Sequence, residues 1–421
     1  MKVGGTIRVP GDKSLSHRAL LFAAMAKGTS HIGGMLTSLD ARSSARVLRQ
    51  LGAGISPLGN EKVVSVIGRG RLRRPGEVLN CGNSGTTTRL LLGLLAAHPF
   101  AASLTGDKSL RKRPMRRVTL PLQQMGARVT EQNETGTLPL TIRGGKLKAL
   151  VHELPVSSAQ IKSALLLAGM AGGVEVALRE PHGQSRDHTE RMLRAFGYSV
   201  DEADGWIRFA PTGKVEAFDM QIPGDPSSSA FPAAAAVLAE SGALAITGVC
   251  VNPTRVGYVG VLQRMGATIA RDNETVAFGE PVADLIVGPA RLRATEVSAG
   301  EIPALIDEIP MLAALATRAQ GTTTFRSVGE LRVKESDRLA LIAQNITALG
   351  GRAEISGDDL HVTGTSAPPV GKVVTEDDHR IAMAFSILGT IPGAKVKVDN
   401  LACADVSFPG FPAMLKAIRA R

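Results

Sequence analysis

The sequence predicts an α/β protein of two similar lobes, each made of three repeated α/β units. Three observations carry that expectation. A short pattern recurs along the chain: apolar residues at helical spacing, a glycine, then a β-favouring residue. It runs Leu48, Leu51, Gly52, Ile55, then Leu122, Met125, Gly126, Val129, then Leu193, Phe196, Gly197, Val200. It returns as Leu262, Met265, Gly266, Ile269 and as Ile346, Leu349, Gly350, Ile355, with the glycines roughly 70 to 85 residues apart. A helix, a C′ glycine and a following strand produce that order. The second observation is that Pro10-Gly11-Asp12 is echoed by Pro223-Gly224-Asp225, each ahead of an apolar helix-forming run. The third is length, since 421 residues leave room for a sixth unit and for more than one core.

Taken in order, Pro10-Gly11-Asp12 reads as a turn and an N-cap that deliver a helix start, running into the apolar helix-forming stretch Ala19–Ala26. Apolar runs at Leu90–Ala97 and Ala164–Gly173 read as buried helices, and Ser229–Ala239 as the helix of the echoed segment. The sixth unit is expected mostly from Phe385 onward, with the first strand, at Ile7–Val9, as a contributor. The lobes are expected at residues 13–222 and at 1–12 plus 223–421, with hinges near 10–13 and 222–226. The ligand cleft is expected at the lobe interface, where small-molecule sites concentrate.

Composition narrows the class. The apolar fraction is 44% and the charged fraction 21%, as in ordinary globular proteins. No apolar run reaches the roughly 18 to 20 residues that a membrane helix needs. Pro10-Gly11-Asp12 interrupts the amino-terminal stretch before a hydrophobic region develops, so no signal peptide is expected. Cys81, Cys250 and Cys403 are far apart and odd in number, which suits a reducing compartment rather than disulfides or zinc. A cytoplasmic protein follows. The net charge of +11 fits either nucleic acid or small anionic substrates. Nucleic acid lacks its usual stacking platforms here, because aromatics are only 3% of residues and include one Trp and two Tyr.

Several polar clusters open apolar helices. Lys13, Ser14 and Arg18 lie in the first turns after Asp12, with Ser14 and Arg18 four apart on one face. Such a start is either a solvated helix end or a site for a multiply charged anion. Asn83-Ser84-Gly85 through Arg89 forms a small-residue, hydroxyl-rich loop without a Walker A ending. In the basic stretch 107–117, Arg113 stands apart because Pro114 holds its backbone extended and so aims its guanidinium. Ser158-Ala159-Gln160 and Ser185-Arg186 start two further helices. Asp307 and Glu308 are carboxylates in an apolar setting, suited either to a first helical turn or to a general base. Lys334 and Arg338 are expected on one helical face with Glu335 between them, and Asp378-His379-Arg380 opens another apolar run. Adjacent Asp, Asp and His rarely converge on one ion, so no metal is expected.

Together these clusters resemble, over essentially the whole chain, the 5-enolpyruvylshikimate-3-phosphate synthase (EPSP synthase) family of enolpyruvyl transferases. The resemblance implies the enolpyruvyl transferase fold, in which each lobe is an inside-out α/β barrel with buried parallel helices aimed at the cleft. It implies transfer of the enolpyruvyl group of phosphoenolpyruvate to the 5-hydroxyl of shikimate 3-phosphate by addition and elimination, without cofactor or metal. That step serves chorismate and aromatic amino acid biosynthesis. By the same resemblance, Lys13, Ser14, Arg18, Ser158, Ala159, Gln160, Ser185, Arg186, Asp307 and Lys334 contact shikimate 3-phosphate. Lys13, Asn83, Gly85, Arg113, Gln160, Arg338 and Arg380 contact phosphoenolpyruvate. Asp307 is the implied base, with Glu335 and Lys13 as its catalytic companions. A monomer without nucleic-acid or membrane partners is expected.

Two departures stand out. Many members carry a lysine where this chain has Val406, just before Phe408-Pro409. Ala159 and the 185–188 segment match the less herbicide-sensitive class, whereas Gly85 leaves room for glyphosate. A related family acting on UDP-N-acetylglucosamine carries a reactive cysteine in the region equivalent to 107–114, where this chain has none.

Overall fold

The computed structural model describes residues 1–59, 63–133, 135–181, 183–419. The chain forms two compact units. The first comprises Gly11–Ile222 together with Ala277–Glu280, and the second comprises Met1–Pro10, Pro223–Val276 and Pro281–Arg421.

The first unit contains helices α1 (Lys13–Met25), α2 (Leu39–Gln50), α3 (Gly85–Ala96), α4 (Arg116–Gln124), α5 (Ala159–Gly172) and α6 (His188–Ala195). The second contains α7 (Pro226–Val237), α8 (Gly257–Arg264), α9 (Ile309–Ala316), α10 (Arg338–Ala348), α11 (His379–Leu388) and α12 (Phe411–Ala417). Each repeat pairs a central helix that is apolar on nearly every face with an outer helix that is apolar on one. All twelve residues of α7 are buried, and α5 is buried from Ile161 through Met170. By contrast, α2, α4 and α6 bury one stripe and expose arginines and glutamines. The central helices pack on each other: α3 on α1 and α5, and α7, α9 and α11 mutually. At the α3–α5 crossing a Cβ on Gly93 would fall within contact distance of the Ala164 backbone, so only glycine permits that approach. Truncating a buried leucine such as Leu91 or Leu166 to alanine costs about 2–5 kcal/mol.

Five four-stranded sheets surround these helices among the described residues. Each carries one parallel pair at an edge with an antiparallel neighbour inside; Leu150–Glu153, for example, pairs parallel with Val176–Arg179, which pairs antiparallel with Trp206–Ala210. The five repeat glycines, Gly52, Gly126, Gly197, Gly266 and Gly350, all have positive φ, between 79° and 113°. Each ends α2, α4, α6, α8 or α10 and hands the chain to a strand, as the periodicity predicts.

Two expectations are corrected. The sixth sheet has only two strands, Val370–Val373 and Lys395–Val398, which flank α11. It therefore begins before Phe385. The first strand instead extends the sheet of Leu244–Cys250, where Thr6 and Ile7 pair with Ala245 and Ile246. That strand is too short to declare its partner by pattern. The helix expected at Ser229–Ala239 starts three residues earlier, because Asp225 caps it and Pro226 sits at its first turn.

Candidate functional site

In the first unit three helix starts converge. Asp12 caps α1, its Oδ1 accepting from the Leu15 amide at 2.7 Å. Lys13 then extends to Asp40, Nζ to Oδ2 at 3.1 Å. One turn on, the buried Arg18 donates to the Ser14 carbonyl at 3.0 Å, to the Thr189 hydroxyl at 2.7 Å and to the Ser163 hydroxyl at 2.7 Å. Those bonds reach α5 and α6, so Arg18 links the starts of all three helices. Its acceptors are hydroxyls and a carbonyl rather than a carboxylate. Burial, opposed chiefly by Glu190, lowers its pKa to about 10, so it stays charged at neutral pH. A buried guanidinium held by neutral acceptors favours an incoming anion.

Ser158 is the cap residue of α5 but makes no side-chain capping bond. Ser185 is buried, and its Oγ has no hydrogen-bond partner. Ala159 and Gln160 form the first turn of α5, and Arg186 lies beside Ser185 just ahead of α6.

A second group adjoins α3. Gly85 is its first residue, after the Ser84 cap. Arg113 is held extended at φ −79°, ψ 139° ahead of Pro114, as expected, and donates to the Asn83 side-chain oxygen at 2.8 Å. Asn83 in turn donates to Asp107 at 2.6 Å. Gln160 accepts from Arg89 at 2.5 Å and donates to Thr86 at 3.0 Å. A Cβ on Gly85 would lie 2.8 Å from Arg89 Nη1 and 3.4 Å from Arg113 Nη1. Gly85 therefore leaves the space these two guanidinium groups occupy.

The second unit assembles acids with bases. Asp307 sits in the 3₁₀ turn Ile306–Glu308 ahead of α9. Its carboxylate lies 3.3 Å from Arg338 Nη1, 3.6 Å from Arg380 Nη2 and 3.9 Å from Lys334 Nζ. Arg380 also donates to the Asp307 carbonyl at 3.0 Å. Arg338 binds Glu335 at 2.5 Å and Asp378 at 2.7 Å, and it is almost wholly buried. Burial works against the Arg338 charge, but Asp378, Glu335 and Asp307 outweigh it and raise its pKa. Asp378 is buried too, and Arg338 holds its carboxyl below the usual range despite the desolvation.

Lys334 and Arg338 do not share a helical face. Lys334 ends the 3₁₀ segment Gly329–Val333 in a non-helical conformation, and α10 starts at Arg338 after the Asp337 cap. The cap interrupts the helical register that spacing alone suggested, yet both cations still reach Asp307. Val406 ends the 3₁₀ segment Ala402–Val406, which packs against α11.

Sequence reasoning did not single out Asp40, Ser163, Thr189, Asp107 or Lys162. Thr189 and Arg18 are 171 residues apart, so no local pattern joins them. Arg89 lies in the first turns of α3, in a stretch whose residues 85–89 read as loop from the sequence and are helical here, and its bonds to Gln160 and to the Pro114 carbonyl mark it.

Comparison with known proteins identifies the family and the fold. The family model described as EPSP synthase (3-phosphoshikimate 1-carboxyvinyltransferase) matches residues 1–415. A 3-phosphoshikimate 1-carboxyvinyltransferase of Thermosynechococcus vestitus is 46% identical over 418 residues, covering 98% of this chain and 95% of the relative. One from Gluconobacter oxydans is 45% identical over 425 residues, covering 99% and 96%. A solved EPSP synthase from Acinetobacter baumannii superposes with a TM-score of 0.88 at 38% identity, covering 99% of this chain and 96% of that one. The enolpyruvyl transferase NikO from Streptomyces tendae shares the fold at 18% identity, with a TM-score of 0.75 and coverage of 99% and 95%.

Proposed function

The chain belongs to the EPSP synthase (3-phosphoshikimate 1-carboxyvinyltransferase) family, and from that premise we infer that it makes 5-enolpyruvylshikimate 3-phosphate. The enolpyruvyl group of phosphoenolpyruvate passes to the 5-hydroxyl of shikimate 3-phosphate, and inorganic phosphate leaves. The observation that carries the reading is the Asp307 carboxylate, ringed by Arg338, Arg380 and Lys334. A carboxylate among cations is a base for a hydroxyl proton that operates beside a negatively charged substrate.

Lys13, Ser14, Arg18, Ser158, Ala159, Gln160, Ser185, Arg186 and Lys334 bind shikimate 3-phosphate, with Asp307 on its 5-hydroxyl. The uncapped Ser158, the partnerless Ser185 hydroxyl and the carboxylate-free bonds of Arg18 support that role. Phosphoenolpyruvate is held by Lys13, Asn83, Gly85, Arg113, Gln160, Arg338 and Arg380. Arginine suits both carboxylate and phosphate because its fork donates two parallel bonds. Asp307 takes the hydroxyl proton as oxygen attacks C2, and Glu335 delivers a proton to the methylene carbon, giving a tetrahedral ketal. Reversal of the C3 protonation, with cleavage of the C–O bond to phosphate, regenerates the vinyl group. Lys13 neutralises charge as phosphate departs. The protein works in this reading as a cytoplasmic monomer; no helix among the described residues is long and apolar enough to cross a membrane.

The test is phosphate release by purified protein. Release is expected only when phosphoenolpyruvate and shikimate 3-phosphate are both present. Release with UDP-N-acetylglucosamine as the acceptor, and none with shikimate 3-phosphate, overturns the assignment.

A further inference from the structure

Beneath the first unit's phosphate-facing residues lies a buried ion pair that the reaction itself does not use. Lys162 stands in the second turn of α5, in an otherwise apolar stretch, and its side chain is 0% exposed. Its ammonium donates to Glu180 Oε2 at 2.9 Å and to the Ser185 carbonyl at 3.1 Å, and it pairs ionically with Glu190, whose Oε1 lies 2.8 Å away. The same Glu180 oxygen accepts from the Ser185 amide at 2.9 Å. Both backbone polar groups of Ser185 are thus tied to one ion pair.

What remains of Ser185 is its side chain. The residue is 4% exposed, and its Oγ has no hydrogen-bond partner. A buried hydroxyl without a partner costs about 1–3 kcal/mol unless a ligand satisfies it. The segment between Glu180 and His188 includes Pro181 and Gly183, and its described residues lie in neither helix nor strand. No ladder therefore fixes it. Further ties include the Ser157 hydroxyl, which donates to the Gly183 carbonyl at 3.0 Å, and the Gln184 amide, which donates to Glu202 at 2.8 Å. A buried ion pair is a poor source of net stability, because apolar residues of equal volume often do as well. Setting the direction of one hydroxyl is a task that apolar residues cannot perform.

We propose that Lys162 and Glu180 are positioning residues that clamp the Ser185 backbone and hold its hydroxyl ready for the phosphate of shikimate 3-phosphate. The inference rests on the reading of Ser185 as a ligand of that phosphate. It assigns the pair to substrate affinity and not to the chemical step.

Steady-state kinetics of Glu180→Met, Glu180→Gln, Ser185→Ala and Glu180→Met/Ser185→Ala test it. Methionine keeps the volume of Glu180 and removes the acceptor, while Lys162 retains Glu190. Glutamine keeps one oxygen able to take both bonds. Glu180→Met is expected to raise KM for shikimate 3-phosphate roughly tenfold, as loss of one bond to a charged group does. The KM for phosphoenolpyruvate and kcat should stay within about twofold. Glu180→Gln should restore the wild-type KM, and the double variant should be no worse than Ser185→Ala. If Glu180→Met does not fold, Glu180→Asp, one methylene too short for both bonds, gives the same readout. An additive double variant, or a Glu180→Met enzyme with unchanged KM beside an impaired Ser185→Ala, overturns the clamp alone. An unimpaired Ser185→Ala overturns the ligand role of Ser185 and the clamp with it.

Discussion

Asp378 holds Arg338 with one carboxylate oxygen and caps α11 with the other. Its Oδ2 accepts from Arg338 Nε at 2.7 Å, while its Oδ1 accepts from the amides of Arg380 and Ile381 at 2.9 and 3.4 Å. One buried side chain thus orients two arginines that face Asp307. Asp378→Asn keeps the shape but removes the charge. It should cost about 3 kcal/mol, the lower end for a broken buried pair, because Glu335 and Asp307 still accompany Arg338. Urea unfolding at neutral pH checks the value. A variant as stable as the parent shows that Arg338 does not depend on Asp378.

Asp307→Asn retains a hydrogen-bonding group beside Arg338 and Arg380 but cannot take a proton. Turnover should fall about 10²- to 10⁴-fold, the range for loss of a general base. The dissociation constant for shikimate 3-phosphate should change little. Calorimetry beside phosphate release separates the two, and undiminished turnover removes Asp307 from the chemistry.

Gly85→Ala places a methyl group 2.8 Å from Arg89 Nη1 and 3.4 Å from Arg113 Nη1. Both are ends of flexible side chains, so the fold should tolerate the change while the guanidinium groups shift. The KM for phosphoenolpyruvate is expected to rise several-fold to tenfold, on the order of 1 kcal/mol, with that for shikimate 3-phosphate unaffected. Equal increases in both would show a general distortion of the first unit.

His17 bonds Ser44 through Nδ1 at 2.7 Å, and its Nε2 is buried without a partner. Burial is the main cause that lowers its pKa from 6.5 to about 4. The unfolded chain therefore binds this proton first as pH falls, so stability is lost between about pH 6.5 and 4 and levels off below. The imidazole contributes about 3 kcal/mol to that acid loss, at 1.36 kcal/mol per pKa unit. His17→Gln should flatten this limb of a stability–pH curve. A curve as steep as the parent's would assign the loss to other groups.

Burial pushes the Cys81 thiol up to about 11 and the Cys403 thiol up to about 12. Neither forms appreciable thiolate at pH 8, and thiolate is the reactive form. An aromatic disulfide reagent should label them in the native protein at least about a hundredfold more slowly than in urea. Rapid native labelling at Cys81 or Cys403 with loss of activity would mean that one of these thiols is open to solvent.

What the sequence discloses is what local physics decides. Gly52, Gly126, Gly197, Gly266 and Gly350 reveal the repeat because a left-handed helix terminus needs glycine within a few residues of its helix. Asp12 and Asp225 reveal helix starts for the same reason, since a cap acts on amides two or three residues away. Arg113 is legible through its neighbour Pro114. Lys162 is not legible: a lysine in an apolar helix looks like a solvated face, and its partners Glu180 and Glu190 lie 18 and 28 residues downstream. The relation of Lys334 to Arg338 is not legible either, because spacing does not show that α10 begins only after the Asp337 cap. The short strand Thr6–Ile7 could not announce its partner, because two residues carry no alternation.

Residues 277–280 carry a consequence for the order in which the protein is made. Phe278 packs edge-on against Phe196 and tilted against Phe218, ring centroids 5.2 Å apart in each pair, and Glu280 meets the buried His188 at 2.7 Å. These pieces of the first unit leave the ribosome only after the chain has passed Ile222 and travelled well into the second unit's sequence. Conversely, residues 1–10 are synthesised first, and Lys2–Val3 wait for Ser241–Gly242 and Thr6–Ile7 for Leu244–Cys250 before finding a strand partner. The first unit is therefore incomplete when its main block of sequence is. A nascent chain stopped at Ile222 holds His188 without its carboxylate and Phe196 without one of its rings, so the first unit finishes folding during synthesis of the second.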